Sequence, residues 1–226
     1  YTTIKVGGIS EFFAEPSTFY EFANLIKWSQ LNNQGCQIIG AGSNLLINNI
    51  FLKGLIICTK KMRRLKIDQT TGIVEAEAGV MLPTLSNSLA KKGLQGGEWA
   101  IGIPGTLGGA IVMNAGSKDI SLAKNLISVK VIDTKTLEVF EIEKKDINFK
   151  YRYSPFQNNN LLIVSAKLYF EPKGNIKELI HKTKYKLEIK RKAQPYHLPS
   201  FGSVFKNPKN EYAAELIEEI GLKGYK

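Results

Sequence analysis

The chain runs to 226 residues, 43% hydrophobic and 23% charged, with 31 Lys and Arg against 20 Asp and Glu for a formal net charge of +11. That is room for one large domain or two smaller ones with a proper core, and the lack of any run of about 18 apolar residues excludes a membrane-spanning helix. The lysines are scattered, their densest run (Lys182 to Lys192) reads as the solvated face of a helix, and no zinc-finger or RNA-recognition motif accompanies them, so the charge suits diphosphate ligands better than nucleic acid.

In chain order, Thr18-Phe19-Tyr20-Glu21 predicts a capping box that opens a helix, with Phe19, Phe22, Ala23 and Ile26 on one face. Strands are predicted at Cys36–Gly40, Gly54–Cys58 and Ile73–Ala78. A helix starts near Pro83, carries Leu82, Leu85 and Leu89 on one side, and stops at Gly93. Leu126–Asp133 and Leu137–Ile142 read as a hairpin around Asp133-Thr134-Lys135. Leu161–Phe170 is a strand in which Val164, Ala166, Leu168 and Phe170 alternate with Ser165, Lys167 and Tyr169. After a break at Glu171-Pro172-Lys173-Gly174 comes a charged helix over Ile176 to Arg191, with Ile176, Leu179, Ile180, Thr183 and Leu187 inward. A loop through Gln194-Pro195 and Pro199 leads to a last helix near Glu211–Ile220, stopped by Gly221. The break divides the chain into residues 1–171, with two α+β lobes, and residues 172–226.

Cys36 and Cys58 lie in apolar strand-like runs and read as buried reduced thiols. With no Cys-x-x-Cys or Cys/His cluster and only His181 and His197, no metal site is expected. No signal peptide is visible in Tyr1-Thr2-Thr3-Ile4-Lys5. A first residue other than Met and an end just after a helix read as a fragment of a longer chain.

Residues 102–116 hold five glycines in fifteen positions, yet the segment is apolar apart from Thr106 and Asn114. A flexible linker would be rich in serine, so this reads as an ordered loop. Glycines let backbone approach a ligand closely, and successive N–H groups make an anion-binding concavity. The guest would be a diphosphate; a tight turn between core strands explains the glycines equally well. A second cluster, Gly40-Ala41-Gly42-Ser43-Asn44, follows the strand at Cys36. It departs from Gly-x-Gly-x-x-Gly, since Leu45 stands where the third glycine belongs. It is a diphosphate site of another type or no site. Arg152, between Tyr151 and Tyr153, can offer a planar fork of donors to a carboxylate, or simply pack on aromatic rings. Ser203 lies in a proline-bounded loop, Pro199 to Pro208, without a Gly-x-Ser-x-Gly elbow.

Taken in order, Ile38–Ile47, Glu98–Ala110 with Met113–Gly116, Tyr151–Ser154 and Gly202–Pro208 resemble the UDP-N-acetylenolpyruvoylglucosamine reductase family, also called UDP-N-acetylmuramate dehydrogenases. The resemblance spans the whole chain and matches the shorter of the family's two variants. It implies an α+β flavoprotein of the vanillyl-alcohol-oxidase-like (PCMH-type) fold, with an FAD-binding domain followed by an incomplete substrate domain. It further implies non-covalent FAD, since the loops hold no histidine or cysteine, and NADPH as reductant. The substrate is a UDP-sugar whose reduction supplies peptidoglycan synthesis, and with it cell shape and division. The implied setting is a cytoplasmic monomer with no nucleic-acid or membrane partner.

Carried onto this sequence, Gly40, Gly42, Ser43 and Asn44 would hold the FAD diphosphate. Ile103, Pro104, Gly105, Thr106, Gly108, Gly109, Asn114, Ala115 and Gly116 would line the flavin. Arg152 would stabilise the developing enolate and Ser203 would donate the proton, with Lys206 as a candidate helper. Tyr151, Gln194 and Asn207 are the expected substrate contacts. The chain departs from the family at Ser117-Lys118-Asp119, where a small glycine-bearing stretch is usual, and at Phe201, where alanine is usual. The glutamate that the family uses near its C-terminus, past a segment like Gly221-Leu222-Lys223-Gly224, is absent from these 226 residues. A non-catalytic FAD-binding remnant, or another FAD oxidoreductase of the same fold, is the alternative.

Overall fold

The computed structural model describes residues 1–48, 50–117, 120–194, 196 and 198–225, so the expectations placed on Lys118, Asp119, Pro195 and His197 lie outside the described residues. The first lobe is built from β1 (Ile9–Ala14), α1 (Phe19–Leu31), β2 (Cys36–Ile39) and β3 (Phe51–Cys58), whose strands form a parallel sheet in the order β1-β3-β2. The second adds β4 (Leu65–Ile67), β5 (Ile73–Glu77), α2 (Leu82–Lys91), α3 (Leu107–Val112), the short pair β6 (Gly116–Ser117) and β7 (Ile120–Ser121), then β8 (Leu126–Asp133), β9 (Val139–Glu143) and β10 (Leu161–Tyr169). Its main sheet is antiparallel, in the order β4-β5-β10-β8-β9. Two helices close the chain, α4 (Ile176–Ala193) and α5 (Ala213–Glu219).

Burial explains the division. Val74, Ala76, Val129, Val131, Ala166 and Leu168 of the sheet face Leu85 and Leu89 of α2 and Leu107 and Ile111 of α3 in one apolar cluster. Phe22 and Ile26 of α1 close on Leu55 and Ile57 of β3, together with Ile132 and Val164. Those last two belong to β8 and β10, so the long strands serve both cores and tie the lobes together. The register of β10 on β8 shifts between Ile163 and Ser165, beside Val164.

Most predicted elements are present, with four corrections. The capping interaction at α1 is offset: Thr18 accepts from the Glu21 N–H at 3.2 Å, but the Glu21 carboxylate takes the Ser17 N–H at 2.7 Å and holds its own pKa below the usual range through that bond. The second hairpin strand starts at Val139, because Leu137 turns the chain with φ +62°. Ile176 is exposed rather than inward; Leu179 and Thr183 carry the buried face of α4. The basic run Lys182 to Lys192 is not wholly solvated, since Lys190 is half-buried and hydrogen-bonded to Gly102.

Candidate active site

The parallel strand β2 ends at Ile39, and the chain turns through Gly40 to Asn44 without entering a helix. Three carbonyls at this turn are taken by the protein. Ile39 accepts from Thr59 Oγ1 at 3.3 Å, Gly40 from Cys58 Sγ at 3.5 Å and Gly42 from the Thr3 N–H at 3.2 Å. Burial pushes the Cys58 thiol up, which keeps it protonated and able to donate. The backbone N–H groups of Ala41, Gly42, Ser43 and Asn44, by contrast, find no acceptor among the described residues. Four consecutive unpartnered amides make a ready-built anion nest. Gly42 takes φ +64°, and a side chain there would also strike the Tyr1 carbonyl at 2.4 Å.

The glycine-rich segment lies directly against this turn. Ser43 Oγ donates to the Pro104 carbonyl at 2.9 Å, and a Cβ on Gly40 would sit 2.2 Å from Thr106 Oγ1. Part of what reads as loop in the sequence is the one-and-a-half-turn helix α3, capped by Thr106, whose Oγ1 accepts from the Gly109 N–H at 3.4 Å. Gly108 lets this helix rest on β5's end, where an added Cβ would meet that of Ala78 at 3.0 Å. The Gly105 and Thr106 amides are again without acceptors among the described residues. The two loops therefore present free N–H groups beside each other, which suits the diphosphate of a dinucleotide.

At the far end of α3, Asn114 is 7% exposed and takes φ +42°. Its Nδ2 donates to Lys150 O at 2.9 Å and its Oδ1 accepts from Ala123 N at 3.4 Å. That bond anchors a tight turn, Lys150 to Tyr153, whose ends exchange 3.1 Å hydrogen bonds. Arg152 sits at its tip with φ +54°, a conformation unfavourable for a residue with a Cβ and of the kind that gathers at functional sites. Its Nη2 donates to Gly116 O at 3.3 Å and its guanidinium lies 5.1 Å from the Tyr151 ring centre. The guanidinium thus packs against the Tyr151 ring while giving one hydrogen bond to a backbone carbonyl. Gln157 supports the turn from below by donating to Arg152 O at 3.1 Å, and the fully buried Ser154 donates to Val112 O at 2.8 Å.

The segment around Ser203 reaches the same region by two threads. Thr3 Oγ1 donates to Ser200 O, while the Thr3 backbone holds Gly42. Tyr151 Oη accepts from the Asn207 N–H at 3.4 Å, and Asn207 Oδ1 in turn accepts from Ala213 N at 3.2 Å. Gly202, with φ +82°, turns the chain just before Ser203. Ser203 is exposed, and its hydroxyl makes no hydrogen bond among the described residues. Lys206 and the side chain of Gln194, both exposed, likewise bond to none of these groups.

Sequence reasoning passed over three supports. Thr3 bridges the Gly42 turn and the Ser200 segment. Lys190 Nζ and Tyr196 Oη both donate to Gly102 O, at 2.9 and 3.0 Å. None carries a motif; Lys190 looks like every other lysine of a charged helix, and only the fold reveals where it points.

Two family models match this chain. One described as an FAD binding domain matches residues 10–141, and one described as the C-terminal domain of UDP-N-acetylenolpyruvoylglucosamine reductase matches residues 194–226. A protein of that reductase name from Prochlorococcus marinus subsp. pastoris is 72% identical over 226 residues, covering 100% of this chain and 76% of the relative. One from Synechococcus elongatus is 40% identical over 225 residues, covering 100% and 74%. Among solved structures, the UDP-N-acetylenolpyruvylglucosamine reductase of Thermus caldophilus superposes with TM-score 0.79 at 29% identity, over 98% of this chain and 77% of that one. An alkyldihydroxyacetonephosphate synthase superposes with TM-score 0.57 at 19% identity, over 71% and 34%, a likeness of fold alone. The fold is accordingly that of the FAD-binding PCMH type.

Proposed function

The chain belongs to the UDP-N-acetylenolpyruvoylglucosamine reductase family, and on that premise we propose that it reduces the enolpyruvyl group of this UDP-sugar to the lactyl ether of UDP-N-acetylmuramate, with FAD as bound cofactor and NADPH as reductant. The product feeds peptidoglycan synthesis, and the protein acts as a cytoplasmic monomer. The observation that carries the reading is the joining of the two chemical segments: Asn207, from the Ser203 segment, donates its N–H to Tyr151, neighbour of Arg152.

The free amides of residues 41–44, 105 and 106 fit a dinucleotide diphosphate, so the chain's own loops are suited to hold FAD. When bound and reduced, FAD would supply hydride chemistry toward the vinyl β-carbon of the substrate. This chain's residues handle the charge and proton that follow. Negative charge grows on the α-carbon and the attached carboxylate, and Arg152 stabilises it with a charge-assisted fork that a water-exposed point charge cannot match. The Ser203 hydroxyl delivers a proton to the α-carbon, completing addition of H₂ across the double bond. Asn207 and Tyr151 brace the substrate side, and Gln194 stands at its margin. Residues 1–171 form the cofactor-binding unit and residues 172–226 the substrate side.

The test is substrate-dependent oxidation of NADPH by the full-length, FAD-loaded protein. Rapid flavin reduction followed by reoxidation on adding the UDP-sugar is expected. A flavin that NADPH reduces but the UDP-sugar leaves reduced would point instead to another FAD oxidoreductase of this fold.

A further inference from the structure

Helix α4 is fastened to the turn that leads into the flavin-lining segment at both ends of that turn. Residues 98–102 form a 3₁₀ turn, buried throughout, immediately before Ile103. At its start, Glu98 is 6% exposed; its Oε2 accepts from the Gly96 N–H at 3.1 Å, its Oε1 has no hydrogen-bond partner, and Lys182 of α4 approaches Oε1 to 3.8 Å. At its end, the carbonyl of Gly102 accepts from two donors at once, Lys190 Nζ of α4 and Tyr196 Oη just beyond it. The Lys190 stem lies directly against Gly102, where an added Cβ would meet Lys190 Cδ. No carboxylate among the described residues lies within 4.0 Å of the Lys190 ammonium. A half-buried ammonium without a counter-ion is costly, and desolvation holds its pKa below the ordinary lysine value. Its retained bond is to one backbone carbonyl, which makes placing that carbonyl its visible role.

We infer that Lys190 and Tyr196 are positioning residues, a two-donor clasp on Gly102 that sets the flavin-lining turn and couples it to the segment carrying Ser203. Tyr196 stands seven residues before Ser203 and Lys190 thirteen, so the clasp joins the cofactor side of the site to the proton-donating side through one peptide group. Arginine can replace the donor at position 190; methionine fills the space without donating. The inference rests on the FAD reading above, and the experiment separates the two.

FAD affinity, the flavin visible spectrum and the reoxidation rate of dithionite-reduced flavin by the UDP-sugar are measured for the full-length wild type, Lys190→Met, Lys190→Arg and Tyr196→Phe. Loss of a charge-assisted bond is expected to weaken FAD binding by about ten- to a hundredfold in Lys190→Met, and loss of a neutral one by about three- to tenfold in Tyr196→Phe. Both variants should show a displaced flavin spectrum and slower reoxidation at saturating substrate, with substrate KM little changed, and Lys190→Arg should restore most of each. If Lys190→Met does not fold, Tyr196→Phe carries the test alone. Wild-type affinity, spectrum and reoxidation in folded Tyr196→Phe and Lys190→Met would overturn the clasp while leaving FAD in place. A wild type that takes up no FAD would overturn the FAD reading instead.

Discussion

Residues 103–116 and residues 200–208 both carry the family's motifs, yet they are built in opposite ways. In the first, Thr106 and Asn114 are 2% and 7% exposed, Leu107 and Ile111 belong to the main core, and hydrogen bonds reach Ser43, Val80, Ala78 and Lys150. In the second, Val204 and Phe205 are 66% and 64% exposed, and the segment hangs on Thr3, Tyr151 and its own turn. The proposed cofactor side is therefore part of the core, while the proposed proton-donating side is laid over it. Substitutions on the cofactor side should register as lost stability and lost FAD. On the proton-donating side they should register as lost rate in a protein of unchanged stability.

The largest expected effect is on the exposed side. Ser203→Ala should lower turnover about 10²- to 10⁴-fold and leave thermal unfolding within about 0.5 kcal/mol of wild type, as read by steady-state rates and a melting curve. Next comes Arg152→Lys, which keeps the charge and loses the fork; about a hundredfold loss of turnover is expected, and near-wild-type turnover would remove the fork from the account. On the buried side, Gly40→Ala forces a methyl into contact with Thr106 Oγ1. Overpacking of this kind costs about 1–3 kcal/mol, measurable by denaturant unfolding, together with weaker FAD binding in a titration. Ser154→Ala removes a fully buried donor from Val112 O. Because Gln157 still donates to that carbonyl at 3.0 Å, the loss should stop near 1 kcal/mol. The smallest effect lies far from both regions. Hydrogen bonds from Ser128 and then Lys167 hold the Glu141 carboxyl below its ordinary 4.5. That contribution is present above the unfolded value and is lost as pH falls through the lower folded one. Glu141→Gln should flatten this acid limb of the stability–pH curve and leave the site untouched.

The elements with a strong period were legible in the sequence. Leu82, Leu85 and Leu89 define α2, and the alternation in 161–170 defines β10. The strand β1 was not, because Ile9–Ala14 is largely exposed and owes its existence to pairing with β3. Helix α3 was hidden by Gly108 and Gly109, residues that disfavour a helix in isolation; Gly108 fits here because α3 lies on Ala78. In the site, glycine and Ser-Asn clusters announced the free amides, and the tyrosine-flanked arginine announced the packing on an aromatic ring. The residues that connect these parts, Thr3, Gln157, Lys190 and Tyr196, act through hydrogen bonds to backbone carbonyls. A bond to a carbonyl places no demand on neighbouring residue types, so it leaves no pattern to read.

The most direct test is single-turnover reoxidation of the reduced flavin by UDP-N-acetylenolpyruvoylglucosamine in full-length Ser203→Ala, beside Gly40→Ala. The account predicts that Ser203→Ala binds FAD and is reduced by NADPH as wild type, yet reoxidises at least about a hundredfold more slowly, while Gly40→Ala loses FAD and stability first. Wild-type reoxidation in Ser203→Ala would contradict it, and would place proton delivery on another group.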